Sequence, residues 1–242
     1  MTENENLDDN LDEMTSYYGQ LAPRYESKQG KDVELSEDHQ KYWKTLFSCF
    51  QKHVTGCNIL EIGCGPGTWT QQLAGVAQSV MATDYNESTL VEARKKTYHY
   101  NNVQFLQADA YDLSNVEGEF NVGFAKDWFS HIPISKVNLF FDAFHKKIGI
   151  GGKVILADTY YKDPRVPEEP KRFSHIDDEG NIYHNRRIPG DPENKMWKII
   201  KNCPTEDEMR SYLKDRANDI DYHIHDTWSK RSDWCITYTI TH

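Results

Sequence analysis

A short apolar run that breaks into alternating glycines constrains this chain more than any other feature. In the stretch from Asn58 to Trp69, Ile59, Leu60 and Ile62 form the kind of run that makes a buried parallel strand. Gly63, Gly65 and Gly67 follow at every second position. Lacking Cβ atoms, they permit positive φ and let a ligand lie against the backbone. Thr68 onward reads as a helix start, so unpaired backbone N–H groups and the positive end of a helix dipole face the glycine loop.

A strand, a glycine loop and a helix can hold a phosphate or a nucleoside. The spacing is G-x-G-x-G rather than the dinucleotide G-x-G-x-x-G, and no Gly-Lys-Ser/Thr follows to make a P-loop. Glu61, at the strand end, disfavours a bound phosphate and favours a cationic ligand. The structural alternative is a tight strand–helix turn. These residues resemble motif I, E/D-x-G-x-G-x-G, of the class I S-adenosylmethionine (SAM) dependent methyltransferases. The resemblance implies a loop of Glu61, Gly63, Cys64, Gly65 and Gly67 wrapped around the amino-acid part of SAM.

The following strand ends agree with that resemblance. Ser79–Asp84 reads as a second strand ending in an acid, and a carboxylate there can accept both ribose hydroxyls. Asp84 matches the family's acidic motif II residue, with Tyr85 beside it; the alternative is an N-cap for the helix from Glu87 to Tyr98, a role open to Asn86 or Ser88. Val103 to Leu106 is a third strand, and by resemblance Asp109 and Ala110 read the adenine. Phe120 to Ala125 is a fourth, followed by Lys126-Asp127-Trp128-Phe129-Ser130-His131-Ile132-Pro133. Lys126 is placed with the cofactor set, Asp127 and His131 as catalytic candidates, and Trp128 on the substrate. The Asn/Asp-Pro-Pro-Tyr/Phe motif of many DNA and glutamine N-methyltransferases is missing, and the ending looks like that of small-molecule methyltransferases. His131 is the side chain best suited to take a proton near neutral pH; hydrogen bonding within a loop is its bland alternative.

The flanks carry the variable parts. Residues 1–13 read as a disordered acidic tail and 14–242 as the methyltransferase domain. Tyr17, Tyr18 and Tyr25, with Leu21, resemble the N-terminal helix that closes over SAM in many small-molecule methyltransferases; this assigns Tyr17 and Tyr25 to the cofactor and Tyr18 to the substrate. Helices are expected from Ser36 (a cap) to Val54 and from Ser135 to Ile148, with a fifth strand at Lys153–Thr159. The segment 160–204, with six prolines, reads as a substrate-covering insertion built as a two-stranded flap, in which Tyr160, Arg186 and Arg187 are substrate candidates. Thr205-x-x-Glu208 is a capping box, and the C-terminal alternating runs make a hairpin that includes Trp228. The expected fold is α/β. It is a doubly wound, seven-stranded, mostly parallel sheet with an antiparallel last strand, helices on both faces and a hairpin-like flap after strand five.

Composition enters as exclusion. A net charge of -10 argues against broad binding to nucleic acid or an anionic membrane. The five cysteines are scattered without a C-x-x-C pair, which predicts no disulfide framework, no metal site and a cytoplasmic setting. No apolar run reaches membrane-spanning length. The expected function is SN2 transfer of a methyl group from SAM, leaving S-adenosylhomocysteine (SAH), to an N or O nucleophile of a small-molecule acceptor. The alternatives are a peptide acceptor and a SAM-binding module without catalysis. A monomer or homodimer is expected.

Overall fold

The structure is a computed structural model, described here for residues 7–25, 37–160, 172–226 and 232–242. The Ser36 cap, the start of the acidic tail, the proline-rich beginning of the flap and Trp228 lie outside the described residues.

The elements run α1 (Leu7–Leu21), α2 (Glu37–Val54), β1 (Asn58–Ile62), α3 (Thr68–Ala74), β2 (Ser79–Asp84), α4 (Glu87–Arg94), β3 (Val103–Gln107), β4 (Val122–Lys126), α5 (Val137–Ile148), β5 (Lys153–Tyr160), β6 (Phe173–Ile176), β7 (Ile182–Arg186), β8 (Trp197–Ile200), α6 (Glu206–Leu213), β9 (Ala217–Asp226) and β10 (Ser232–Ile240). Seven strands form the main sheet in the order β3-β2-β1-β4-β5-β10-β9. The pairings from β3 through β5 are parallel, and β10 runs antiparallel to both neighbours.

Both faces of this sheet are covered, and β1 shows how two-residue alternation achieves it. Ile59 joins Phe50, Leu73 and Phe124 on one face. Leu60 and Ile62 join Phe140, Phe144 and Trp234 on the other. Each such side chain taken fully from water contributes about 1.5–3 kcal/mol. At Gly123 of β4 the packing is so close that an added Cβ would lie 2.5 Å from Phe144 Cζ, so a larger residue there would drive α5 off the sheet.

A third core joins segments far apart in sequence. Tyr17 and Leu21 of α1 pack with Ile188, Trp197 and Ile199 of the flap. The flap is a three-stranded antiparallel sheet, β6-β7-β8, where two strands were expected. The extra strand, Phe173–Ile176, is a four-residue segment lying close to the proline-rich stretch that obscures it in the sequence. Helix α1 starts at Leu7, inside the segment expected to be disordered, and its residues Leu11 and Met14 reach the cavity described next.

Candidate active site

A cavity of about 400 Å³ opens at the C-terminal ends of β1, β2 and β4, where the strand order reverses between β1 and β4. Ligands of doubly wound sheets bind at such switch points. One wall comes from the glycine loop and the ends of the first strands. The other comes from α1 and the segment after β4.

The glycine loop is held by contacts that exclude side chains. Gly63, Gly65 and Gly67 have φ of 64°, 55° and 77°. A Cβ at Gly63 would lie 2.3 Å from Trp128 Cδ1, and one at Gly67 2.6 Å from the Tyr98 hydroxyl. At Gly65 a Cβ would project into open space with nothing within 4 Å, in the cradle that faces the cavity. The Asp84 carboxylate pins this loop: Oδ2 accepts the Gly65 N–H at 2.9 Å and Oδ1 the Asn86 N–H at 2.9 Å. Each of these oxygens keeps further lone-pair capacity for a ligand hydroxyl. Asp109 Oδ1 accepts the Tyr111 N–H at 2.8 Å, and Asp109 and Ala110 both line the cavity.

Glu61 carries the clearest electrostatic demand. Its carboxylate is buried and accepts the Thr70 hydroxyl at 2.7 Å. Burial pushes its pKa up to about 8; the Thr70 bond opposes this and Asp84 adds to it. A buried carboxyl raised in this way gains further stability as an anion from an incoming cation. The ammonium of an amino-acid moiety fits that demand, and with the open cradle at Gly65 the residues present fit SAM.

The opposite wall is built on hydrogen bonds between segments distant in sequence. The Tyr18 hydroxyl lies 2.9 Å from His131 Nε2, and His131 Nδ1 lies 2.7 Å from the Ile200 carbonyl of β8. That carbonyl can only accept, so Nδ1 carries the ring proton and Nε2 accepts from Tyr18. Burial and then the nearby Lys201 cation push the His131 pKa down to about 3. Asp127 also lines the cavity, with φ of 58°, and pairs with Lys126 at 2.5 Å. Lys126 in turn lies 3.5 Å from buried Asp233.

Beneath this wall a buried polar network ties the flap to the segment after β4. Lys201 Nζ donates to Asp158 at 2.9 Å and to Ser130 Oγ at 2.6 Å, while Asp158 accepts the Ser130 N–H at 2.9 Å. The Asn202 N–H donates to the Ser130 carbonyl at 2.7 Å, and its amide group donates to the Ile132 carbonyl at 2.9 Å.

The residues singled out from sequence are thus distributed unequally. Glu61, Gly63, Cys64, Gly65, Asp84, Tyr85, Asp109, Ala110, Lys126, Asp127, Trp128, His131, Tyr18 and Tyr25 all line the cavity. Gly67 supports the loop from behind, against Tyr98 and Ala93. Tyr17, expected at the cofactor, is instead buried in the flap core, its ring 6.0 Å from Trp197, while Tyr18, about 100° further round the helix, lines the cavity. Tyr160 packs against the main core, and Arg187 is exposed. Lys201, Asp158 and Ser130 were not anticipated. The one local sign was a lysine closing the apolar run Ile199-Ile200. Among the described residues, no group of three or more His, Cys, Asp or Glu side chains is placed to hold a metal ion, and no helix is long and apolar enough to cross a membrane.

Comparison with known proteins agrees with this geometry. Residues 59–152 match a family of methyltransferase domains. A phosphoethanolamine N-methyltransferase from Triticum aestivum is 26% identical over 144 residues, covering 52% of this chain and 28% of the relative. A demethylmenaquinone methyltransferase from Clavibacter sepedonicus is 25% identical over 133 residues, covering 55% of this chain and 53% of the relative. The matches therefore span about half or less of these relatives' length. Among solved structures, the complex of DhpI with SAM and HEP superposes with a TM-score of 0.68 at 18% identity, over 98% of this chain and 99% of DhpI, which shows a shared fold. The glycine loop, the acidic strand ends and the seven-stranded sheet agree with these similarities: residues 59–152 are similar to methyltransferase domains, and the fold is the one shared with DhpI in complex with SAM.

Proposed function

We propose that this chain transfers the methyl group of SAM to an N or O nucleophile of a small-molecule acceptor, a metabolite or natural product. The observation that carries this reading is that one cavity is lined both by the glycine loop with Asp84 and Asp109 and by Tyr18, Asp127 and His131. The small-molecule part is supported by the relatives: the wheat protein is named for phosphoethanolamine and the Clavibacter protein for demethylmenaquinone.

SAM would supply a methyl group on a sulfonium, with a neutral thioether as leaving group. In this reading Glu61 takes the ammonium, Gly63 and Gly65 admit the amino-acid moiety, Asp84 accepts ribose hydroxyls, and Asp109 and Ala110 face the adenine. The protein's remaining task is to hold the acceptor in line and to receive a proton where one must leave. Tyr18 donates to His131, so its oxygen lone pairs are available to an acceptor hydrogen. A proton passed to Tyr18 would move on to His131 Nε2. That nitrogen is a weak base in its buried setting, so the wall suits acceptors that need little deprotonation: a neutral amine or an oxygen that is already ionised. His131 then acts chiefly to position Tyr18. Asp127, on its strained backbone, is the second acceptor to which a substrate N–H or O–H can donate. We place the protein in the cytoplasm as a monomer or homodimer, a setting consistent with its five free cysteines.

The test is incubation with SAM and panels of amines, phenols, carboxylic and phosphonic acids and short peptides, following SAH formation and product mass. A mass gain of one methyl group on a small molecule supports the reading. A gain confined to peptides shifts it to peptide modification. SAH and SAM binding with no turnover on any panel overturns it in favour of a SAM-binding module.

A further inference from the structure

Two buried hydrogen-bond donors of the flap have no partner among the described residues. Arg186 of β7 and Trp197 of β8 are directly paired across the flap sheet, so their side chains share one face. Among the described residues, Arg186 Nη1 and Trp197 Nε1 are both buried without a hydrogen-bond partner. No carboxylate is paired with the Arg186 guanidinium among the described residues, although Asp and Glu outnumber Lys and Arg by 38 to 28 in the chain. Arg186 is half-buried as a residue, and a buried guanidinium nitrogen without an acceptor is a cost that native structures accept where a ligand supplies one.

Neither residue lines the cavity itself; a short series of ring contacts joins this face to the cavity wall. Trp197 packs on Tyr17 at 6.0 Å, Tyr17 on Tyr18 at 5.0 Å, and Tyr18 meets His131 in the cavity wall. Burial raises the Tyr17 and Tyr18 hydroxyls and the Arg186 charge opposes that rise; at His131 burial and Lys201 push the imidazole down and Arg186 adds to them. Arg187, next in sequence, is exposed and takes no part.

We propose that Arg186, with the Trp197 indole N–H beside it, is the receptor for an oxyanion carried by the methyl acceptor: a carboxylate, phosphate or phosphonate. Guanidinium and indole N–H together offer a charge-assisted, directional seat for such a group. This rests on the methyltransferase reading and narrows its substrate class: the acceptor is a small molecule with an anionic end bound at the flap. Its nucleophile, an amine or one of the ionised oxygens, reaches past Tyr18 toward the cofactor side.

The test is calorimetric titration of the SAH-saturated protein with inorganic phosphate and, separately, with acetate at matched ionic strength. Saturable binding of at least one anion is expected, weakened tenfold or more by Arg186→Gln and twofold to fivefold by Trp197→Phe, and unchanged by Arg187→Gln. Stronger phosphate than acetate binding assigns a phosphoryl end, and the reverse a carboxylate; both support the site. Absence of saturable binding by either anion, or equal binding in Arg186→Gln and wild type, overturns it. SAH affinity measured in each variant separates the two claims. Failure of the wild type to bind SAH strikes the methyltransferase reading, whereas SAH binding without anion binding strikes only this site. Should Arg186→Gln lose SAH binding through misfolding, Trp197→Phe, which keeps the ring, decides the matter by the same criterion.

Discussion

The two walls of the cavity are built on different principles. The wall proposed for the cofactor is the more local: Glu61, Gly63, Gly65, Asp84 and Asp109 sit at or just beyond strand ends, and their partners are within about twenty residues, Thr70 for Glu61, the Gly65 and Asn86 N–H groups for Asp84 and the Tyr111 N–H for Asp109. The acceptor wall is assembled across the chain. Tyr18 meets His131, His131 meets Ile200, and Lys201 meets Asp158 and Ser130. A wall of the first kind tolerates change elsewhere and holds one cofactor. A wall of the second kind is reshaped by any change in the flap, which is how one fold serves many acceptors.

The two walls differ most at Lys201. Replacing it by Met leaves Asp158 buried without its cation, and removing one partner of a buried ion pair costs about 3–5 kcal/mol. Calorimetric unfolding is expected to show that loss, with the flap released. Gly63→Ala is the equivalent break in the cofactor wall. Its φ of 64° and the 2.3 Å approach to Trp128 are expected to cost about 1–3 kcal/mol and to weaken SAH binding, measured by the same calorimetry.

The two walls also respond differently to pH. The Glu61 carboxyl, raised to about 8 without ligand, is mostly protonated at lower pH, and an ammonium prefers its anion. Binding below that value therefore releases a proton. SAH affinity is expected to rise about tenfold per unit from pH 6 toward 8 and to flatten above it. Glu61→Gln removes the slope; an unchanged slope in that variant would assign the effect elsewhere. His131 gives the opposite check. Its folded pKa, near 3, lies below the value of about 6.5 in an unfolded chain. The unfolded state then binds the extra proton, so its stability contribution is present above 6.5 and is lost as pH falls toward 3. NMR of the imidazole is expected to show no titration between pH 5 and 8. The smallest effect belongs to Arg187→Gln, an exposed position, within about 0.5 kcal/mol of wild type in denaturant unfolding.

The same division explains what the amino-acid sequence discloses. Asp84 and Asp109 are legible because an apolar run followed by an acid marks a strand end, and strand ends converge in a doubly wound sheet. The choice between Tyr17 and Tyr18 is not legible, since both lie on α1 and only the docked flap decides which one faces Trp197. Nor is Lys201, whose partners lie 43 and 71 residues away in the chain. Strand β6 escapes for a related reason: its pairing with β7 identifies it, while its four residues carry little pattern of their own.

The most direct measurement is a parallel calorimetric titration of wild type, Asp84→Ala and Tyr18→Phe with SAH and SAM. Hydrogen bonds to an ionised acceptor are worth about 1.5–3 kcal/mol, so Asp84→Ala is expected to weaken both ligands by about tenfold or more. Tyr18→Phe is expected to leave both affinities within about twofold while slowing turnover, because its hydroxyl serves the acceptor wall. No binding of either ligand to wild type, or an equal loss in the two variants, would contradict the division of labour argued above.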